Sequence, residues 1–317
     1  MPLRIVFFGN GPRGVACLER VVDAGHQVCA VVVHAGDSSA SKVMKSAACE
    51  INLECLAPQD PNRSDFVSLL AEKRADVFIL AGYSPIICQD LITTPKTMTI
   101  NTHAGELPGM RGSSPLNWAL IEGRKLVTLS IIQVTSAVDG GDVLTERVCQ
   151  VTDSTTIADL QQRANELFPE MVTEVLESIG SGTLRKRRQE NSQSAYYPLR
   201  FPDDGIILWD QLTAVQVHNR IRALTDPYPG AFTYGRGRRI RLLRSEQTAT
   251  PYMGEPGRVY RKTPRGLLVC ASDRCLWITH AVDARSGDSA QTFVDRYDCF
   301  ATMREAAMRF YESGVTA

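Results

Sequence analysis

Long apolar runs rich in β-branched residues are the feature that most restricts how this chain can fold. VCAVVV at 28–33 and ADVFILAG at 75–82 are apolar along almost their whole length. A strand without alternation of apolar and polar residues is typical of a parallel sheet that is covered on both faces. LRIVFF at 3–8, MTINTH at 98–103 and VTLSIIQV at 127–134 predict three further strands.

Helical patterns separate these strands. They lie at 15–24, where Gly25 follows as a C-terminal stop signal, and at 42–48, and a long helix is predicted at 154–179. Strands that alternate with helices over the first 150 residues are typical of an α/β domain. We therefore predict a doubly wound, mainly parallel sheet with a Rossmann-like arrangement.

The composition and the periodicity of apolar residues change after the long helix. A polar, basic stretch at 184–194 reads as a linker, and a short amphipathic helix follows at 213–224. Beyond it come short alternating strands (AFTY, RIRLLR, GRVYR, GLLVCA and CLWITHAV), which predict a smaller, mostly β domain of the open-barrel type, and a closing helix at 298–313. The predicted domains are 1–183 and 201–317, joined by a linker at 184–200.

Composition restricts the partners. The formal net charge is +0, whereas a protein that mainly binds a polyanion usually has a basic surplus. The nine cysteines form no CxxC pair and no zinc-like spacing with histidine, so we expect no metal and reduced thiols. The N-terminus enters a strand directly, and no apolar stretch is long enough for a bilayer. We expect a cytoplasmic protein without a membrane partner; a homodimer is left open.

The motif GNGPRG at 9–14 matches G-x-G-x-x-G after a strand, the fingerprint of dinucleotide binding. That function also requires an acidic residue at the end of the second strand, where this chain has His34. Pro12 in addition removes one main-chain donor from the loop. The motif therefore favours a tight strand-to-helix turn, and an NAD(P)-binding oxidoreductase is kept as an alternative of a different class.

A second group of residues suggests acyl transfer to an amine. Asn101 and His103 are two residues apart at the end of a predicted strand, so their side chains share one face at the edge of the sheet that binds ligands. Asp139 lies in a glycine-flanked loop after the next strand and can approach them. The histidine can accept the proton of the amine, the carboxylate can orient it, and the amide can stabilise the oxyanion. From residue types alone, a structural role for the histidine remains the commoner outcome.

The stretch 100–144 resembles the signature of the 10-formyltetrahydrofolate-dependent formyltransferases: Asn-x-His, then Leu-Pro-x-x-Arg-Gly, then Asp in a glycine-rich turn. FPDDGIILWD at 201–210 and HNRIRALTDPYPGAFTY at 218–234 resemble the start of the C-terminal domain in the members that act on tRNA and on amino sugars. The resemblance covers most of the chain. It implies that Asn101, His103 and Asp139 are the catalytic residues and that 10-formyltetrahydrofolate is the co-substrate.

The resemblance also implies a folate site, in which an apolar slot holds the pterin. The residues that correspond to it are Tyr83, Pro85, Ile86, Ile87, Ile131, Ile132, Val134 and Thr135. A purely structural role in the core is equally compatible with Ile86 and Ile131.

The acceptor is predicted from smaller differences within the family. The tRNA enzymes insert a basic loop after their second strand, whereas the corresponding segment here, HAGDSSASKVMKSAACE, is short and carries few cations. This favours a nucleotide-linked 4-amino-4-deoxy sugar of the lipopolysaccharide type, with nucleic acid disfavoured as a partner. Methionyl-tRNA is the alternative, supported by the basic runs at 185–188 and 236–244.

Arg13 and Arg111 are the predicted diphosphate ligands; for Arg111, pairing with a carboxylate such as Glu106 is the competing hypothesis. Ser130 and the residues Ala-Gly-Glu after His103 depart from the commoner family pattern and leave the acceptor's identity open.

Overall fold

The computed structural model describes residues 1–303. The predicted closing helix at 298–313 therefore lies for the most part outside the described residues. The chain divides into two compact units. The first unit contains Met1–Pro115, Leu126–Gln150 and Gln161–Pro198; the second contains Leu116–Lys125, Val151–Leu160 and the described residues from Leu199 onward.

A seven-stranded sheet organises the first unit. Its strands are β1 (Arg4–Gly9), β2 (Gln27–Val32), β3 (Cys55–Leu56), β4 (Val77–Ala81), β5 (Met98–His103), β7 (Leu126–Gln133) and β8 (Val143–Gln150), in the order β3-β2-β1-β4-β5-β7-β8. The pairs from β3 to β5 are parallel, and β7 and β8 continue the sheet antiparallel. A separate two-stranded ladder joins β6 (Arg111–Gly112) to β9 (Tyr196–Tyr197). The predicted mainly parallel α/β sheet is confirmed.

Four of the helices in the described residues correspond to the patterns predicted at 15–24, 42–48, 154–179 and 213–224, and the three that lie between residues 64 and 121 were not predicted. The helices are α1 (Gly11–Asp23), α2 (Ser39–Glu50), α3 (Ser64–Glu72), α4 (Gln89–Thr93), α5 (Pro115–Ile121), α6 (Ile157–Ser181) and α7 (Ala214–Leu224). The first helix begins inside GNGPRG, four residues earlier than the apolar pattern predicts, because Pro12 is well suited to a first helical turn. Ser38 starts α2 by accepting a hydrogen bond from the Ser41 N–H at 3.1 Å. None of the helices in this described part of the chain combines the length and the apolar composition required to cross a bilayer.

The continuous apolar runs are buried as expected. All five residues of β4 are buried, and so are all residues of β1 after Arg4. The Phe8 ring lies 5.5 Å from that of Phe78 and 5.3 Å from that of Tyr83. Burying one such phenylalanine contributes about 2–3 kcal/mol to stability. The ends of β4 and β5 thus lie next to a closely packed apolar core.

The second unit is built on a five-stranded antiparallel sheet. Its strands are β10 (Ala231–Gly235), β11 (Arg238–Gln247), β12 (Val259–Thr263), β13 (Gly266–Cys270) and β14 (Cys275–Asp283), in the order β10-β11-β14-β13-β12. Trp209 is fully buried in this unit and donates its indole N–H to the Thr233 hydroxyl at 3.0 Å. The predicted mostly β C-terminal domain is confirmed.

The stretch predicted as a linker is attached to the first unit. Arg187 and Val143 exchange two main-chain hydrogen bonds at 2.8 and 2.9 Å, and Tyr196 pairs with Arg111. Conversely, the segments 116–125 and 151–160 pack with the second unit although they lie within the predicted first domain. The domain boundaries at 183 and 201 stay a prediction. The polarity of a segment indicates that it is exposed to solvent, but it does not indicate with which unit the segment packs.

Candidate active site

Asn101 and His103 lie on one face of β5, where this strand reaches the carboxyl edge of the sheet. Asn101 stands opposite Leu80 of β4 and Ile132 of β7, and His103 stands opposite Ser130. His103 is 5% exposed, whereas Asn101 is half-buried. The two side chains therefore share an edge between two neighbouring strands, as their spacing predicted.

Both ring nitrogens of His103 have a partner. Nε2 lies 2.7 Å from the main-chain carbonyl oxygen of Met110, and Nδ1 lies 3.5 Å from Oδ2 of Asp139. Because a carbonyl can only accept, Nε2 carries the hydrogen in the neutral ring. Nδ1 is then the nitrogen that can take up a proton, and the adjacent carboxylate stabilises the imidazolium that results.

The loop around Asp139 holds this residue in an uncommon main-chain conformation. Asp139 has φ +48°, a left-handed conformation that aspartate tolerates better than most residues. Its Oδ2 accepts a hydrogen bond from the Gly112 N–H at 2.9 Å. A Cβ on Gly141 would lie 1.9 Å from the Gln133 carbonyl oxygen, so only glycine allows the loop to pass this close to β7.

The Asn101 side chain at this edge has no hydrogen-bond partner among the described residues, 1–303. Because buried or half-buried amides are normally hydrogen-bonded, this amide is available to a ligand. The edge thus combines a proton acceptor, a carboxylate and a free amide donor, the set that acyl transfer to an amine requires.

The structure brings the two predicted folate segments into one apolar cluster. Tyr83 and Ile87 are buried in it, and Val134 packs against it. The Tyr83 ring also contacts the His34 ring at 4.9 Å, and burial raises the pKa of the Tyr83 phenol to about 12. His34 Nε2 in turn accepts a hydrogen bond from the Ser84 N–H at 3.1 Å.

The other predicted folate residues differ in what they can offer. Ile131 and Ile132 are buried in β7, so their side chains belong to the core and only their main chain could meet a ligand. Ile86 is 74% exposed, Pro85 is half-buried, and the Thr135 hydroxyl donates to the Ala137 carbonyl at 3.3 Å. Their part in folate binding stays a prediction.

The two predicted phosphate ligands have different surroundings. The Arg13 guanidinium lies over the Phe168 ring, 5.1 Å from its centroid. Arg111 is only 3% exposed, and it donates four hydrogen bonds to neutral partners: two to Gln189, one to Asn191 and one to Tyr196. An arginine has five N–H donors. A role of Arg111 in substrate binding stays a prediction, with at most one of its donors left for a ligand.

Three contacts of the site were not predicted: the Met110 carbonyl on His103, the Gly112 N–H on Asp139, and Gln189. The first two are main-chain groups, which carry no sequence signal. Gln189 lies in a polar stretch that is indistinguishable from a linker by composition. The motif GNGPRG forms the tight turn that leads into α1, as the sequence favoured.

Comparison with known proteins identifies the family. The formyl transferase model matches residues 3–176, and the model of the formyl transferase C-terminal domain matches 201–295. A methionyl-tRNA formyltransferase of Solibacter usitatus is 31% identical over 280 residues, which cover 86% of this chain and 89% of that protein.

Two solved structures share the fold. One is an N-formyltransferase from Helicobacter canadensis in complex with folinic acid and dTDP-3-aminofucose, with a TM-score of 0.66, 14% identity, and coverage of 88% of this chain and 99% of that one. The other is HypX from Aquifex aeolicus in complex with tetrahydrofolic acid, with a TM-score of 0.63, 21% identity, and coverage of 91% and 45%. Two domain models that together match most of the sequence, and a relative of this identity and coverage, lead to one conclusion: the chain belongs to the formyltransferase family.

Proposed function

We propose that the chain transfers a formyl group from 10-formyltetrahydrofolate to a primary amine, with Asn101, His103 and Asp139 as the catalytic residues. Formyltransferases of this family use formyltetrahydrofolate as the donor, which supplies a formyl group activated by attachment to a folate nitrogen. The observation that carries the proposal is the grouping of the His103–Asp139 pair and the unpartnered Asn101 amide at one edge of the sheet.

His103 acts as the base in this proposal. As the acceptor nitrogen bonds to the formyl carbon, it loses a proton, and Nδ1 of His103 is the unprotonated ring nitrogen that can receive it. Asp139, 3.5 Å from Nδ1, stabilises the positive charge of the ring. The bond between the formyl carbon and the folate nitrogen then breaks, and the proton held on Nδ1 passes to that departing nitrogen, which leaves the formylated amine and tetrahydrofolate as products. No serine or cysteine is needed as an intermediate carrier, since the amine itself is the nucleophile.

Asn101 stabilises the formyl oxygen. This oxygen gains negative charge when the amine adds, and an amide N–H aimed at it lowers the barrier. One such donor contributes about 3 kcal/mol in comparable sites, a factor of roughly a hundred in rate. Because the amide has no partner among the described residues, it does not have to break an internal hydrogen bond first.

Of the two acceptors considered from the sequence, the relatives favour methionyl-tRNA, contrary to our preference for an amino sugar. A protein named methionyl-tRNA formyltransferase matches almost the whole chain at 31% identity. The similarity to the N-formyltransferase crystallised with dTDP-3-aminofucose is at 14% identity and supports the fold alone. We therefore propose methionyl-tRNA as the first acceptor to test.

A nucleotide-linked amino sugar remains the second candidate because of the distribution of charge. Three of the five arginines in the basic run at 236–244 form ion pairs within the second unit: Arg236 with Asp295 and Asp298, Arg238 with Asp283, and Arg241 with Asp226, at 2.8–3.4 Å. Arg187 of the other basic run pairs with Glu146 at 2.7 Å. Paired arginines release few counterions from RNA, so they contribute little to its binding.

The acceptor is tested by direct competition. Purified protein is incubated with 10-formyltetrahydrofolate and either initiator methionyl-tRNA or a panel of nucleoside-diphosphate 4-amino-4-deoxy sugars, and products are followed by mass. Formation of formyl-methionyl-tRNA, together with an affinity for the tRNA that falls steeply as the salt concentration rises, would support the first candidate. Formylation of a sugar nucleotide, with binding little affected by moderate salt, would replace it by the second. Transfer to neither, with no folate bound, would refute the proposal of a formyl transfer at this site.

A further inference from the structure

We propose that Gln189 is a positioning residue for the carboxylate of Asp139. Its side chain connects Arg111 to the main chain of the Asp139 loop and so determines where Asp139 stands beside His103. This inference rests on the proposed catalytic role of Asp139. It assigns a function to a segment whose sequence is typical of a linker.

The hydrogen bonds of Gln189 are complete. Gln189 is 6% exposed, and its Nε2 donates to the carbonyl oxygens of Asp139 and Gly141 at 2.8 and 2.6 Å. Its Oε1 accepts from Nε and Nη2 of Arg111 at 3.1 and 2.8 Å. An amide has two N–H donors and two lone pairs on its oxygen, so this environment uses all four. No other side chain of similar size offers two donors and two acceptors in this geometry.

Arg111 anchors Gln189 from the opposite side. Its Nη1 donates to the Tyr196 hydroxyl and its Nη2 to the Asn191 side chain, at 3.1 and 3.0 Å. The main chain adds a hydrogen bond from the Arg111 N–H to the Ala195 carbonyl at 3.0 Å. The segment from Gln189 to Tyr196 is thus folded around a single buried guanidinium, whose planar set of N–H donors matches these acceptors.

The main chain and the carboxylate of Asp139 are therefore both held by contacts that lead to the dipeptide Arg111–Gly112. Arg111 holds the Asp139 main chain through Gln189, and the next residue, Gly112, donates its N–H to Asp139 Oδ2. Because Asp139 has φ +48°, its loop needs such external contacts to keep this conformation. Loss of the Gln189 amide would release the main chain of the loop while the Gly112 contact remains, and the carboxylate would no longer be kept at one distance from His103.

Three variants test the inference. Gln189→Met keeps the volume and removes every hydrogen bond, and Gln189→Glu keeps the contact with Arg111 but turns a carboxylate oxygen towards the two loop carbonyls. Gln193→Glu is the control, since Gln193 is exposed in the same segment and its side chain donates a hydrogen bond to Glu190 at 3.4 Å. Turnover is measured with 10-formyltetrahydrofolate and with methionyl-tRNA or a sugar nucleotide, whichever gives the higher rate with the unmodified protein. We expect both Gln189 variants to lose on the order of tenfold to a hundredfold in kcat, with KM for the folate changed less than threefold.

A double-mutant cycle separates positioning from a general structural effect. If Gln189 acts through Asp139, Gln189→Met should cost little further rate in an Asp139→Asn background, whereas independent damage would multiply. A wild-type kcat in Gln189→Met, or fully multiplicative losses in the double variant, would refute the inference. A wild-type kcat in Asp139→Asn alone would instead refute the proposed role of Asp139. Comparison with Gln193→Glu and melting curves of all variants show whether the first unit is folded.

Discussion

Gly105 provides a sharp test of the proposed base, because the space beside it is filled by the His103 ring. A Cβ added at Gly105 would lie 2.6 Å from His103 Nε2, 2.7 Å from the Met110 carbonyl oxygen and 2.9 Å from Pro115 Cβ. Ordinary contacts between such atoms are about 3.5 Å. The methyl group of an alanine would thus push the ring and its hydrogen-bond partner at the same time.

The size of the effect follows from these distances. To restore a normal contact, the imidazole must retreat by about 0.9 Å, since the Met110 carbonyl belongs to the main chain and yields less readily. The Nε2 hydrogen bond of 2.7 Å is then lost or lengthened. A displacement of about 1 Å in a catalytic group can cost about a hundredfold in rate, and overpacking a buried site typically costs about 1–3 kcal/mol of stability. We expect Gly105→Ala to fold and to lose on the order of a hundredfold in kcat.

Gly109→Ala is the matched control in the same loop. A Cβ there would have its nearest neighbour, the Glu106 carbonyl oxygen, at 4.0 Å, which is an ordinary contact. Steady-state release of tetrahydrofolate gives kcat for the wild type and both variants, and thermal melting reports their folding. A Gly105→Ala protein that turns over at the wild-type rate would show that the position of the His103 ring does not matter, and would refute the reasoning.

Three further predictions follow from the same structure. Asn101→Ala should lower kcat by about a hundredfold and change acceptor KM little, since its amide acts on charge that develops during transfer; an unchanged kcat would contradict this. Asp139→Asn removes the carboxylate charge beside His103, so we expect a loss of a hundredfold or more in kcat. Because asparagine also tolerates positive φ, the melting temperature should be almost unchanged; a large fall in that temperature would point to a structural role. Burial lowers the pKa of His218 below its ordinary value, so its contribution to stability is present above about pH 6.5 and is lost as the pH falls towards the folded-state pKa, because the unfolded chain takes up the proton first. Between pH 7.5 and 5.5, a range that brackets about 6.5, the melting temperature should therefore fall less in His218→Gln than in the wild type. Equal falls would contradict a lowered pKa of His218 in the folded protein.

The sequence by itself determined the buried strands of the first unit and the common face of two site residues. The runs at 28–33 and 75–82 require a strand covered on both faces, because an apolar strand without alternation has no side that water can solvate. The spacing of Asn101 and His103 fixes their common face, since the side-chain period of a strand is two. Both conclusions depend on local periodicity and hold whatever path the rest of the chain takes.

The contacts that shape the site were decided only by the tertiary structure. Gln189 meets Arg111 across 78 residues of chain, in a stretch whose composition is that of a linker. The segments 116–125 and 151–160 likewise pack with the second unit, although the sequence assigns them to the first. A local pattern specifies which residues are buried, but a buried donor or acceptor can be satisfied by any suitable group that the fold brings near. Its partner is therefore determined by the path of the whole chain.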